Sequence, residues 1–310
     1  MKRLFVIIIG IYLVIGTVLV FTVKDKPDVI NYFTLKQNYS RLLSEDETLV
    51  VSLFIDYNNS FITDSNNITS SSLKSEENTL AVEVRGIEQV DEEIEYKGKS
   101  YYLFNITIDF NEVNITDFEL KIRDCYLEMD YVNGDTIELF IGDIFISFGE
   151  VTSSNHLDYF NMYGIINEIE EENYLLAIMI KLENLTNQEI TITNIKSVND
   201  IVKFDLINHY KTTEKIDGSF SLMDLIGEYN HLEIKEAGKF ILEDEYYYLI
   251  PLVYESLEKV YRLPITIEYS YNYELYSLEL DDYLFFDESI NLNERTDDIR
   301  EYQYLYQESN

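Results

Sequence analysis

The chain has 310 residues and carries 58 acidic against 23 basic side chains, for a formal net charge of −35. Hydrophobic residues make up 46% of it, too many for wholesale disorder. Nucleic-acid binding is disfavoured, because contacts to phosphates need clustered Lys and Arg. With 11 glycines and no phosphate-cradling glycine loop, we also expect no nucleotide and no cofactor.

The first predicted element is a membrane anchor at residues 1–23. Between Leu4 and Thr22 there is no charged residue. At about 1.5 Å per residue this run spans roughly 28 Å as a helix, close to the ~30 Å hydrocarbon core of a bilayer. A cleavable signal peptide has a shorter apolar core and ends in small residues such as A-x-A, which do not follow here. The pattern favours a retained signal anchor, with a cleaved signal as the alternative.

The orientation of this single-pass anchor rests on weaker signals. Lys2 and Arg3 precede the apolar run and Lys24 and Lys26 follow it, so the positive-inside rule gives only a mild preference. Only Met-Lys-Arg precedes the run, as in retained signals whose N-terminus stays inside. A single cysteine agrees with export without disulfides. We expect a cell-membrane protein with a cytoplasmic N-terminus and extracytoplasmic domains.

After a predicted juxtamembrane stalk at residues 24–45, the dominant pattern has the period of two that is typical of strands. One face of the stretch 102–110 is apolar and comprises Phe104, Ile106, Ile108 and Phe110. A second example, in 262–271, aims Ile265, Ile267, Tyr269 and Tyr271 to one side. Asn133-Gly134 between two alternating runs predicts a hairpin whose two turn residues both have positive φ.

Many short strands with frequent turn signals predict an all-β chain with two tandem β-sandwich (Ig-like) domains, at 46–150 and 151–288. A weak repeat that aligns 102–122 with 174–194 supports two units, although any two hairpins could align this well. A single larger β domain is the alternative. One short helix is predicted at 221–229. The acidic polar tail, 289–310, is predicted to be disordered.

No catalytic motif is present, and we predict no catalytic residues. The three histidines have no metal-binding spacing, and neither H-E-x-x-H nor a framed G-x-S-x-G occurs. The single cysteine, Cys125, shares a strand face with Leu127, Met129 and Tyr131. This alternation predicts a buried structural thiol rather than a nucleophile.

A weak calcium candidate comprises Asp56, Asn58, Ser60 and Asp64, of which the first three have the spacing that opens a calcium loop. The glycine and the glutamate that complete such a loop at its sixth and twelfth positions are missing. A solvated turn is therefore the competing interpretation.

Tyrosine is the one chemical excess, with 27 residues against no tryptophan. The tyrosines of 246–248 and of 268–280 cannot all face inward. Alternation would expose Tyr247 if its two neighbours are buried, and exposed tyrosines are enriched at interfaces. We therefore predict a non-enzymatic, membrane-anchored binding protein or an accessory subunit of a membrane complex, such as a transporter, with a protein partner in the envelope. The alternatives are an envelope hydrolase using paired carboxylates and a calcium-stabilised adhesion module.

Overall fold

The computed structural model describes residues 29–44, 47–58, 60–110, 119–169, 172–215, 238–255, 258–285 and 295–305. The predicted anchor and the predicted helix at 221–229 lie outside these ranges. Within them the chain forms strands and short 3₁₀ turns, and the all-β prediction is confirmed there. None of the described helical segments is long and apolar enough to span a bilayer.

The strands alternate with short turns along the whole described chain. In order they are β1 (Val29–Leu35), β2 (Gln37–Leu43), β3 (Leu49–Ile55), β4 (Ile68–Lys74), β5 (Thr79–Tyr96), β6 (Lys99–Asp109), β7 (Glu119–Tyr131), β8 (Thr136–Phe148), β9 (Leu157–Ile169), β10 (Glu172–Asn184), β11 (Ile190–Lys196), β12 (Val202–Phe204), β13 (Tyr210–Thr212), β14 (Phe240–Ile241), β15 (Tyr247–Tyr254), β16 (Arg262–Tyr271), β17 (Glu274–Leu284) and β18 (Ile299–Leu305). The 3₁₀ turns are Phe61–Thr63, Ser65–Asn67 and Thr296–Asp298.

The first sandwich is one continuous sheet that folds into two layers. Its strand order is β18-β1-β3-β6-β5-β4-β7-β8-β2. The long strand β5 serves both layers, since Thr79–Val82 pair with β4 and Glu83–Tyr96 pair with β6. Strand β2 runs parallel to β8. The predicted apolar face of β6 lies in the core between the layers, together with Cys125 and its predicted neighbours on β7.

The second sandwich packs the sheet β9-β10-β15-β12, with β13 also paired to β15, against the sheet β14-β11-β16-β17. Alternate residues of β16 point into its core as predicted, and Ile265, Ile267 and Tyr269 are at most 1% exposed. Strands of this kind are rich in β-branched and aromatic residues, which fit a pleated, half-buried surface.

Both sandwiches follow the strand order of a constant-type immunoglobulin domain, in which strands A-B-E-D face strands C-F-G. In the first, β1-β3-β6-β5 face β4-β7-β8. In the second, β9-β10-β15-β12 face β11-β16-β17. The Cys-Trp-Cys signature of antibody domains is absent, because the chain has one cysteine and no tryptophan. The β-sandwich part of the prediction is confirmed. The division into domains at 46–150 and 151–288 stays a prediction.

The segment 24–45, predicted as a stalk, contains β1 and β2, and the stalk interpretation is wrong for residues 29–43. Strand β1 is buried on both faces. Ile30 and Tyr32 enter the main core, while Phe33 and Leu35 enter a smaller cluster on the other side of the sheet. A strand buried on both sides loses the alternation that identifies a half-exposed strand.

The tail predicted to be disordered contains β18, so that prediction is wrong for residues 299–305. Strand β18 pairs with β1 from Val29↔Leu305 to Leu35↔Ile299. Tyr302 stacks on Tyr32 with ring centroids 5.2 Å apart. The chain therefore returns to the first sandwich after completing the second.

Two local predictions need a finer correction. The Asn133-Gly134 hairpin joins β7 to β8, but only Gly134 has a positive φ, +88°, so the connection is a turn followed by a left-handed glycine. The repeat aligns β6–β7 with β10–β11, which occupy different places in the two strand orders. Both segments cross from one layer of their sandwich to the other.

The two sandwiches are in direct contact. Phe145 of β8 has no exposed surface and packs in the core cluster of the second sandwich. Asn199 Nδ2 donates to Asn38 Oδ1 at 2.9 Å, and Arg123 pairs with Asp200 at 2.9 Å. The connection between β8 and β9 is fixed along β17, where Thr152 N donates to Glu279 O. The second sandwich is thus held against the first by apolar, amide and ionic contacts.

Candidate functional site

An aromatic surface lies at one end of the second sandwich, where the β16–β17 hairpin and the β10–β11 connection meet the start of β9. We call it the aromatic loop end; it comprises His156, Leu185, Tyr271, Tyr273, Leu275 and Tyr276. In immunoglobulin variable domains the corresponding B–C and F–G loops contact antigen. Because one fold can host many functions, the role of this surface depends on its own residues.

His156 organises this surface. Its ring stacks on Tyr271 with centroids 4.3 Å apart and meets the edge of Tyr276 at 4.7 Å. Its carbonyl accepts a hydrogen bond from Leu185 N at 2.8 Å, which brings the β10–β11 connection alongside. The sequence gives no sign of this role, because the ring partners of His156 lie more than one hundred residues away along the chain.

Hydrogen bonds of the Ser154 and Tyr276 hydroxyl groups hold the rings of the aromatic loop end in place. Ser154 Oγ accepts hydrogen bonds from the backbone N–H groups of His156 and Leu157, and lies 2.6 Å from Tyr269 Oη. Tyr276 Oη donates to Glu274 Oε2 at 2.7 Å, and this hydrogen bond, followed by desolvation, raises the pKa of Tyr276. The serine hydroxyl is occupied in holding the turn, so the arrangement presents rigid rings.

The tip of the hairpin carries two prominent apolar side chains. Tyr273 is fully exposed, at 106% of its reference surface, and Leu275 is 77% exposed. Tyr271 pairs with Glu274, so Asn272 and Tyr273 form a two-residue turn with φ of +52° and +67°. Large apolar residues rarely occupy such a tip, and clustered exposed ones mark interaction surfaces.

Of the two tyrosine stretches singled out from the sequence, 268–280 supplies rings to the aromatic loop end and 246–248 lies elsewhere. Tyr248 is buried, while Tyr246 and Tyr247 are half-buried. Lys211 Nζ lies 4.7 Å from the ring centre of Tyr246, and Lys181 Nζ lies 5.2 Å from that of Tyr247. Lysine stems thus cover these rings, and this face offers less apolar contact area than the aromatic loop end.

The calcium candidate residues have other partners in the structure. Asp56 accepts hydrogen bonds from Asn31 N and Nδ2 at 2.9 and 2.6 Å. Ser60 and Asp64 cap consecutive 3₁₀ turns, and Asn58 is exposed. Among the residues that the structure describes, no group of three or more His, Cys, Asp or Glu side chains could hold a metal ion.

Two adjoining cavities lie where the sandwiches meet. The larger, about 280 Å³, is lined by both signs of charge. Two of its carboxylates have structural partners. Asp143 accepts from Asp124 N at 2.7 Å, and Asp298 pairs with Arg295 at 3.0 Å. The smaller cavity, about 210 Å³, shares Arg295 with the larger one.

Comparison with known proteins identifies no family. No family model and no curated protein matches the chain. Solved structures give weak likenesses. The D00-D0 domain of Intimin is 8% identical with a TM-score of 0.19, over 83% of this chain and 100% of that one. The Streptococcus agalactiae AgI/II polypeptide BspA C-terminal domain is 9% identical with a TM-score of 0.20, over 81% and 98%. A chimeric titin Z1Z2 is 10% identical with a TM-score of 0.17, over 85% and 100%. At such TM-scores, the fold assignment stands on the strand order of this chain alone.

Proposed function

We propose that this protein is a non-enzymatic, membrane-tethered binding protein of the cell envelope, which holds a protein partner at the aromatic loop end. Its N-terminus lies in the cytoplasm, one helix crosses the cell membrane, and both sandwiches lie outside. The partner belongs to a neighbouring membrane complex, such as a transporter, of which this chain is an accessory subunit. The uncharged run from Leu4 to Thr22 supports the tether.

The observation that carries the binding role is the conformation of Tyr273. A left-handed φ is unfavourable for a bulky residue and costs on the order of 1–3 kcal/mol. The β5–β6 hairpin of the same chain has the same two-residue geometry, with φ of +50° and +73°, and places Gly98 at the equivalent position. The second sandwich thus carries a strained, exposed tyrosine where glycine would form the turn at lower cost.

Burial of this ring against a partner can offset the strain. A tyrosine buries about 150–250 Å². At about 25 cal/mol per Å², even the lower figure corresponds to almost 4 kcal/mol of gross stabilisation, before the costs of association. Leu275, beside it on the hairpin, adds apolar area. The partner surface that fits is an apolar pocket on a folded protein.

The substitution Tyr273→Gly separates binding from folding. It should raise the denaturation midpoint of the full-length protein, because the turn loses its strain. It should also abolish co-purification of the partner with the full-length protein from detergent-solubilised membranes of the native host.

Phe160→Ser is the matched control, since Phe160 is 58% exposed on the opposite sheet of the sandwich. This variant should retain the partner. Retention of the same partner by Tyr273→Gly, or its loss from both variants, would contradict the proposal.

The two alternatives have weaker support. A hydrolase with paired carboxylates would use the larger cavity, where Asp143 and Asp298 already serve structural partners. Calcium-stabilised adhesion would use Asp56 and Asp64. A melting temperature that rises with millimolar calcium, but not with magnesium, would favour adhesion.

A further inference from the structure

The smaller cavity at the junction of the sandwiches has an unusual charge for this protein. It is lined by segments of three separate regions: β2 with β3 and β6, the start of β16, and the turn before β18. Arg41, Arg262 and Arg295 line it, and none of its described lining residues is acidic. In a chain with 58 acidic and 23 basic residues, three converging arginines form a local cationic centre.

The rest of the lining supplies neutral hydrogen-bond donors. Amide side chains come from Gln37, Asn38 and Asn105, and hydroxyl groups from Ser40 and Ser52. Two polar atoms of the lining residues, Asn38 Nδ2 and Ser40 Oγ, are buried without a hydrogen-bond partner in the described structure, and Ser40 is only 1% exposed. Because these two atoms are closed to water, they are not ligand contacts in this conformation, and the accessible neutral donors are those of Gln37, Ser52 and Asn105.

Arg295 gives the cavity a fixed wall. Its Nε pairs with Asp298 at 3.0 Å, and one terminal nitrogen donates to Lys36 O at 2.6 Å. The guanidinium lies 5.5 Å from the ring centre of Tyr261, which also lines the cavity. Arg295 therefore holds the β1–β2 junction against the second sandwich, and its charge is already paired with Asp298.

Arg41 and Arg262 are the arginines suited to ligand contact. Both are half-exposed and have interactions of their own. A guanidinium has five N–H donors, so it can bind an anion while keeping a structural partner. Arginine also matches carboxylate and phosphate oxygens in a two-pronged geometry that lysine lacks.

We propose that this cavity binds a small anionic molecule through its carboxylate or phosphate oxygens, with Arg41 and Arg262 as the charged contacts. Its volume of about 210 Å³ is below the range of drug-sized pockets and suits a ligand near the size of one sugar ring. This site is separate from the aromatic loop end and does not depend on a protein partner there.

Calorimetric titration of the full-length protein in mild detergent tests the proposal, with glucuronate, glucose 6-phosphate and glucose as probes. The expected result is saturable binding of one or both anionic probes and none of neutral glucose. Binding of glucuronate alone identifies a carboxylate ligand, and binding of glucose 6-phosphate alone identifies a phosphate ligand. The proposal would be overturned if neither anionic probe bound, or if glucose bound as tightly as the anionic probes.

Variants locate the site. Arg41→Gln and Arg262→Gln should each weaken binding of the anionic probe at least about tenfold, the loss expected for one charged hydrogen bond. Arg262→Lys should retain part of the affinity and guards against a variant that fails to fold. Lys97→Gln is the control, since Lys97 is 65% exposed in the β5–β6 turn and lines neither cavity. An equal loss in Lys97→Gln would show a general charge effect and contradict the assignment.

Discussion

Replacing Tyr302 by phenylalanine should destabilise the first sandwich although it removes a single oxygen atom. Tyr302 Oη accepts a hydrogen bond from Phe140 N at 2.8 Å. The carbonyl oxygen of Phe140 accepts a second hydrogen bond, from Thr34 Oγ1 at 2.6 Å. Together these hydrogen bonds join β8, in one layer, to β1 and β18 in the other layer.

The size of the effect follows from the buried backbone donor. Phe140 is 7% exposed, so its N–H would be left without a partner and with little access to water. Such a group costs about 1–3 kcal/mol. That range corresponds to about a 5- to 150-fold rise in the hydrogen-exchange rate of this amide. The conversion applies where exchange follows local separation of β8 from β1 and β18.

Two measurements check this prediction. The urea midpoint of the full-length protein should fall, and amide hydrogen exchange at Phe140 should accelerate. Tyr273→Phe is the matched control, because its hydroxyl lies on a fully exposed side chain and should change stability by less than about 0.5 kcal/mol. Equal, small effects of both substitutions would refute the reasoning that β18 locks the first sandwich.

Three further predictions concern the core of the first sandwich. Gly142→Ala should lower the free energy of unfolding of this sandwich by at least about 3 kcal/mol, measured by thermal unfolding. The reason is that φ of residue 142 is +103° and the new Cβ would lie 2.2 Å from Gln37 O. A smaller loss would contradict this geometry. The Cys125 thiol, whose pKa burial raises to about 12, should resist thiol reagents at pH 8 until the protein unfolds, and labelling of the native protein would count against burial. Burial also raises the pKa of Tyr32 and Tyr131, whereas unfolded tyrosines ionise near pH 10. Stability should therefore fall above about pH 10, by up to about 1.4 kcal/mol per pH unit per group, and phenolate absorbance that rises before unfolding would argue against it.

Half-exposed strands could be predicted from the sequence because their alternation is visible. The inward face of β6 and the β7–β8 hairpin were found this way. Strand β1 was missed because both of its faces are buried. Asp109 lies on β6 opposite the apolar face, yet it is 3% exposed and pairs with Arg85, since long-range pairing decides the burial of a charge.

The polar composition of the C-terminal segment concealed a short strand whose alternate tyrosines face the core. Tyr302 and Tyr304 point inward, and Tyr304 Oη donates to Asp135 Oδ2 at 2.7 Å. Glu301 and Gln303 alternate with them on the exposed face. The sequence does not reveal that this segment pairs with β1, so its polar composition resembles that of a disordered tail.

The candidate sites were the least accessible to sequence reasoning. A tyrosine excess indicated an interface, but the strained position of Tyr273 depends on the hairpin register. The arginine-lined cavity joins Arg41 to Arg262 and Arg295, which follow it by more than two hundred residues along the chain. No local spacing links them, and only the return of β18 to β1 brings the last of them into place.

Photo-cross-linking in intact cells of the native host tests the central claim most directly. A photo-reactive residue at position 273 of the full-length, membrane-bound protein should give one discrete adduct with an envelope protein. The same residue at position 160 should give none. Equal adducts from both positions, or no adduct from position 273, would contradict an outward-facing binding protein that uses the aromatic loop end.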